Sequence, residues 1–281
     1  MKILVPTDFS KNAEKAIEYA AVIAKSSSAA IELLHVYTEP VTRNNIAYPL
    51  IFEETAWAVK TAREQIEKRC AEISAEKGIP CEGKVKIGAT AEEIIKEADA
   101  SQVDFIVVGT KGASGLDKVL FGSTTTSVIE KAPCPVLSVP MDAAIAPPKK
   151  IVFATNYHEG DMKALKKLTK FGSFFNAELI VLHVSKENLK SERDLVEQFS
   201  KAVAKESGSQ QPYYYALPHE NTEKGINLFM DSSGADLIAL STRKRTVFEK
   251  MFDPSLAKKL AYQARLPLLA FHAGGDLDGE G

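Results

Sequence analysis

The chain contains one pattern twice. Lys2-Ile3-Leu4-Val5-Pro6-Thr7-Asp8 returns as Lys150-Ile151-Val152-Phe153-Ala154-Thr155-Asn156. Leu33-Leu34-His35-Val36 returns as Val181-Leu182-His183-Val184 at the same offset. Asp104-Phe105-Ile106-Val107-Val108 is matched by Asp236-Leu237-Ile238-Ala239-Leu240, and Pro135-Val136-Leu137 by Pro267-Leu268-Leu269, at a smaller offset. A chain that repeats itself is built from copies of one structural unit, and 281 residues suffice for two small domains. The second copy is shortened, and residues 38–50, a polar connection with no counterpart after Val184, mark the place. The predicted domains are residues 1–141 and 149–273, joined by a linker at 142–148 whose Ala and Pro carry no apolar period. The acidic, Gly-rich stretch 274–281 is predicted to be a disordered tail.

Within the first copy, short apolar runs alternate with stretches of helical period. Residues 3–5, 31–36, 82–87, 105–108 and 136–139 read as strands, and 12–25, 52–77, 91–100 and 123–131 as helices, with Ser10 as N-cap of the first. The near-continuous apolar runs at Ile31 and Phe105 fit strands buried on both faces, as in parallel sheets. Strand and helix in alternation, up to five strands, predict an α/β fold: two tandem, doubly wound, five-stranded parallel-sheet domains. Such sheets bind ligands beyond the carboxyl ends of their strands, where the strand order reverses. Function is therefore sought at the strand ends.

Composition removes several alternatives. A net charge of −2 argues against nucleic acid as a partner, because phosphate neutralisation needs clustered Lys and Arg. No apolar run is long enough for a membrane span, and the first residues lack the pattern of a secretory signal, so a cytoplasmic location is expected. Cys70, Cys81 and Cys134 are too few and too scattered for a disulfide framework or a zinc site. They read as small packing residues in a reducing compartment.

The first strand ends in Pro6-Thr7-Asp8. A carboxylate there can accept hydrogen bonds from nucleotide hydroxyls or an amino group, or it can cap the following helix; position alone leaves both open. At the end of the second strand, alternation and its return as His183 make His35 a packing residue, while Val36 can border a purine. The fourth strand runs through Val108 into Gly109-Thr110-Lys111-Gly112, then nine residues, then Gly122-Ser123-Thr124-Thr125. Gly109 and Gly112 are expected to let backbone approach a ligand and to adopt left-handed angles. Gly122-Ser123 places backbone N–H groups and hydroxyls at a helix N-terminus, a seat suited to phosphate.

These residues resemble the universal stress protein family: Pro6-Thr7-Asp8, His35-Val36 and Gly109-x2-Gly112-x9-Gly122-Ser123, with the likeness extending over both copies. The resemblance implies an adenine nucleotide alpha hydrolase-like sheet of strand order 3-2-1-4-5 and pairing of the two domains through their last strands. It implies a nucleoside held at Asp8 and Val36, with ribose and phosphates near Gly109, Gly112, Gly122, Ser123 and Thr125. The expected site is thus Pro6, Thr7, Asp8, Val36, Val108, Gly109, Gly112, Gly122, Ser123, Thr124 and Thr125. The expected ligand is ATP, with AMP or ADP as alternatives, and Mg²⁺ is carried by the phosphates and not by a protein cage.

The second copy departs from this pattern. Asn156 stands for Asp8, and Ser241, Lys244 and Pro254 stand for the three glycines, while Ser255 keeps its hydroxyl. Lys244 adds bulk, Pro254 removes a donor, and Asp253 offers a competing carboxylate at the helix start. Arg243-Lys244-Arg245 reads as a solvated charge run. The expectation is an ATP-binding regulatory protein with one competent site, which passes nucleotide occupancy to a protein partner. A slow ATP-hydrolysing or nucleotidyl-transferring enzyme and a scaffold without ligand stand as alternatives, and homodimerisation of the full chain is open. Lys111 and Asp117 give a weak catalytic case, and neither the Ser-Gly-Gly-x-Asp-Ser loop nor the His-x-Gly-His motif of ATP-activating relatives occurs here.

Overall fold

The computed structural model describes residues 1–39, 48–110, 122–157, 159–186, 196–197, 199–201, 211–242 and 266–272. The chain forms two compact units, with the boundary after Val136. In order, the first copy runs β1 (Lys2–Pro6), α1 (Lys11–Ser27), β2 (Ala30–Tyr37), α2 (Tyr48–Lys77), β3 (Cys81–Ile87), α3 (Thr90–Ala100), β4 (Phe105–Gly109), α4 (Ser123–Lys131) and β5 (Val136–Val139). Every strand and helix predicted for this copy is present, with ends that differ by a few residues.

The strand order is β3-β2-β1-β4-β5. β1 lies parallel to both neighbours, Ile3 pairing with Ile31 of β2 and with Phe105 of β4. Consecutive residues Ile3, Leu4 and Val5 are all fully buried, so both faces of the central strand are covered. α1 covers one face with Ala16, Ile17, Ala20 and Ile23, whose spacing keeps them on one side of the helix. Ser10 caps α1 as predicted, its hydroxyl accepting the Ala13 N–H at 3.2 Å. Because β1 sits between β2 and β4, its carboxyl end is the point where the chain turns from one side of the sheet to the other.

Towards the amino ends of the strands, two buried carboxylates interrupt the apolar core. Glu32 of β2 is fully buried and is held by Lys2 and Lys84 at 2.9 and 3.0 Å. Lys84 continues to Glu97 of α3 at 2.6 Å, and Lys86 reaches the same carboxylate at 3.1 Å. Burial pushes the Glu97 carboxyl up, but hydrogen bonds from Lys84, Ser101 and Lys86 outweigh it and hold it at about 2.

The second unit repeats the plan with β6 (Lys150–Ala154), α5 (Glu159–Ser173), β7 (Glu178–Ser185), β8 (Tyr213–Pro218), α6 (Thr222–Ser233), β9 (Leu237–Thr242) and β10 (Leu268–His272). Its order, β8-β7-β6-β9-β10, is that of the first copy. Asn221 caps α6 by accepting the Lys224 N–H, and Gly234 ends it in the left-handed conformation at φ 66°.

Candidate functional site

The carboxyl end of β1 is built by a turn that its own sequence specifies. Thr7 continues the sheet, donating its N–H to Leu34 O at 2.8 Å, and its hydroxyl accepts the Phe9 N–H at 3.0 Å. The Asp8 carboxylate accepts the Ser10 N–H at 3.0 Å, which shapes the approach to α1 while Ser10 itself caps the helix. Asp8 therefore does not cap α1, and it stands exposed at the strand end. The turn forces Phe9 to φ 61°, and its ring stacks on His35 at 4.7 Å. His35 Nδ1 lies 2.9 Å from Thr7 O. A carbonyl can only accept, so this nitrogen carries the proton. The second copy makes the same bond, His183 Nδ1 to Thr155 O at 2.8 Å, with Tyr157 on the ring. Both histidines are packing residues, as their repetition predicts.

Beyond this turn lies a cleft of about 270 Å³. Pro6, Thr7 and Asp8 form one edge, and Leu34, Val36, Ile94 and Val108 supply apolar wall. Gly109, Gly122, Ser123, Thr124 and Thr125 border it on the side of α4. The predicted site residues thus gather in one place, except Gly112, which lies outside the described residues together with Lys111 and Asp117.

Two hydrogen bonds fix the start of α4 against the end of β4: Gly122 N–H to Thr110 O at 2.8 Å, and Thr125 Oγ1 to Gly109 O at 2.9 Å. The Thr125 hydroxyl proton is therefore spent on the scaffold. No side chain caps α4 at Gly122, and the first intrahelical bond is Thr126 N–H to Gly122 O at 3.0 Å. The N–H groups of Ser123, Thr124 and Thr125 precede that bond, beside the exposed Ser123 hydroxyl. Such a helix end favours an anion by hydrogen bonding and by its dipole.

Gly109 does not take the left-handed angles expected of it. A Cβ there would stand 2.6 Å from the Asn12 carbonyl oxygen, so glycine is required for the first turn of α1 to close onto β4. Gly122 has φ −67° and ψ 158°, an extended conformation open to any residue. Its lack of a side chain leaves space and does not relieve backbone strain.

Sequence reasoning missed Ala13, Leu34, Thr90 and Ile94 in the lining. Thr90 and Ile94 follow the third strand and sit one helical turn apart, so applying the strand-end rule to β3 would have found them. Ala13 carries no such signal, because its place depends on how closely α1 approaches the sheet at Gly109.

A family model for the universal stress protein family matches residues 1–140 and again 147–272. The chain belongs to the universal stress protein family. Among family members, YxiE of Bacillus subtilis is 33% identical over 144 residues, covering 49% of this chain and 97% of its own length. A member from Mycolicibacterium smegmatis aligns over 95% of both chains at 25% identity. The crystal structure of a universal stress protein from Archaeoglobus fulgidus shares the fold with a TM-score of 0.77, at 21% identity over 97% of this chain and 98% of that one.

The second unit rebuilds the strand end differently. Thr155 again accepts the following turn, from Tyr157 N–H at 2.9 Å. Its hydroxyl also donates to Asp161 at 2.8 Å, and the same carboxylate oxygen takes the Asn156 N–H at 3.3 Å. Asp161 is 6% exposed and occupies the place that Ala13 has in the first copy. At Gly225, a Cβ would come within 2.5 Å of Val184, the counterpart of Val36, so α6 presses closely on β7. Of the second-copy substitutions read from the sequence, Lys244, Asp253, Pro254 and Ser255 lie outside the described residues.

Proposed function

We propose that this universal stress protein binds one adenine nucleotide, ATP or a lower phosphate, in its first unit and acts as a cytoplasmic regulator that reads nucleotide supply. The observation that carries this reading is the convergence of an exposed carboxylate, an apolar wall and an uncapped helix N-terminus on one cleft. The base packs against Val36, Leu34, Ile94 and Val108. Asp8 accepts hydrogen bonds from the ribose or the exocyclic amine. Phosphates sit at Gly122, Ser123 and Thr124, with Mg²⁺ held by the phosphates themselves. Among the described residues no cluster of three or more His, Cys, Asp or Glu side chains offers a metal cage.

Calorimetry with ATP and AMP, together with mass spectrometry of ligand released from fresh protein, tests the reading. The expected result is an adenine nucleotide with stoichiometry close to one and a preference that follows the phosphates. Gly122→Val separates space from strain, since its φ and ψ suit valine. This variant should fold normally and lose most of its ATP affinity. Unchanged affinity would place the phosphates elsewhere, and absence of adenine-nucleotide binding by the parent protein would remove the proposal.

A further inference from the structure

Cys70 and Cys81 are eleven positions apart along a helix-to-strand connection, and the fold brings their sulfurs to 3.0 Å. That is about 1 Å beyond the ~2.05 Å of a disulfide bond. The approach follows from the packing of α2 on β3. Gly83 stands two residues after Cys81, and a Cβ there would run into the Ile66 side chain and lie 3.5 Å from Cys70 Sγ. Glycine at that position lets α2 lie low over the strand, so that Cys70, one turn after Ile66, faces Cys81.

We infer that Cys70 and Cys81 form a reversible intramolecular disulfide, made when the protein meets a hydroperoxide. Two further observations support it. Cys81 is half-exposed and lies on β3, the outermost strand of its sheet, which gives a small peroxide access to the pair, whereas Cys70 is buried at 6% exposure. The hydrogen bond from the Cys81 thiol, aided by the charge of Arg69, also holds Cys70 below the ordinary thiol range against the effect of burial. The cysteines of the chain all fall in the first copy, so the pair has no equivalent in the second.

The chemistry balances with hydrogen peroxide as oxidant. A thiolate of the pair attacks the O–O bond, giving a sulfenic acid and, after protonation of the leaving hydroxide, one water. The neighbouring thiol then attacks the sulfenic sulfur, the S–S bond forms, and the hydroxyl leaves as a second water. Two thiols and one peroxide become one disulfide and two waters. A dithiol reverses the reaction by exchange. The bond would clamp α2 to β3 and close the connection between them.

The test is intact-mass analysis of the full chain, treated with hydrogen peroxide, acid-quenched and then alkylated in denaturant. Reduced protein takes three alkyl groups, one for each cysteine. The oxidised protein should take one, on Cys134, with a Cys70–Cys81 peptide link that dithiothreitol removes. Cys81→Ser should give no intramolecular link under the same treatment. Three alkyl groups after peroxide, a sulfinic acid on either residue, or a link through Cys134 or between chains would overturn the inference.

Discussion

In the first unit the opening turn of the helix after the central strand presents Ala13 to a cleft; in the second the same turn presents Asp161, and the strand end folds around its carboxylate. Everything beneath is shared: the threonine that receives the turn, the histidine bonded to its carbonyl and the aromatic ring on that histidine. At this position of the shared frame, one methyl group in the first copy stands against one carboxylate in the second. The buried charge in the second unit finds donors within the protein, the Thr155 hydroxyl and the Asn156 N–H, which a ligand would otherwise have to displace. On the proposed reading, a site can be absent while its scaffold persists, with the Asp161 carboxylate standing where the first unit would receive a ligand.

Moving that one residue gives the largest expected effect. Ala13→Asp should recreate the second unit's arrangement in the first, with the new carboxylate within reach of Thr7. A charge about 4 Å from a phosphate costs on the order of 4 kcal/mol per unit charge near a protein surface. ATP affinity should fall by about a hundredfold or more while the fold persists, as titration calorimetry and circular dichroism would record. If the variant binds ATP as well as its parent, the phosphates do not pass the first turn of α1, and the comparison loses its functional meaning.

Asp8 against Asn156 is the next contrast. Asp8→Asn removes the charge and keeps an acceptor, whereas Asp8→Ala removes both. If the carboxylate bonds the nucleoside, Asp8→Ala should weaken ATP binding by about 1–3 kcal/mol, with Asp8→Asn in between. Equal affinities for all three proteins in calorimetry would assign Asp8 to the turn at Ser10 alone.

The sequence carried the frame of this comparison and little of its detail. Alternating periods placed the strands and helices, and the strand-end rule gathered Asp8, Val36, Gly109 and Gly122. Residues whose role depends on the height of a helix above the sheet were not legible. Ala13 and Asp161 look like ordinary first-turn residues until Gly109 sets the approach of α1. Gly109 was expected to adopt left-handed angles and does not; its missing side chain also makes room for Asn12. Cys70 and Cys81 looked scattered because their meeting depends on Gly83 and on the register between a long helix and an edge strand.

A further contrast lies at the other end of the sheet. By strand register Lys84 stands opposite Leu34, and Tyr215 opposite Leu182, so the two occupy equivalent places. Where Lys84 meets Glu97, Tyr215 meets Phe229 with ring centroids 5.3 Å apart, and Ile180 replaces buried Glu32. One copy joins its third strand and third helix by charge, the other by an aromatic pair. Glu97 is held at about 2, below its unfolded value, so its contribution is complete above about pH 4.5 and disappears as pH falls through 2. Glu97→Gln should therefore cost the first unit about 2 kcal/mol at pH 6 and far less near pH 2. Urea unfolding followed by hydrogen exchange in each unit separates the two. Equal cost at both pH values would show that the network acts through packing and not through charge.

The smallest effect concerns the two threonines. Thr7 and Thr155 are both buried, and each accepts an N–H from a residue at positive φ, Phe9 or Tyr157. Valine has nearly the same shape and no hydroxyl. Thr7→Val removes one bond, from the Phe9 N–H, and should cost the first unit about 1 kcal/mol. Thr155→Val removes the equivalent bond and also takes a donor from the Asp161 carboxylate, which leaves a buried charge with one partner fewer. Its cost should be about 2 kcal/mol, confined to the second unit. Protection factors from hydrogen exchange in the two units, measured for both variants, give the two costs directly. If they are equal, the Thr155 hydroxyl contributes nothing to holding Asp161, and the carboxylate is kept in place by the turn at Asn156 instead.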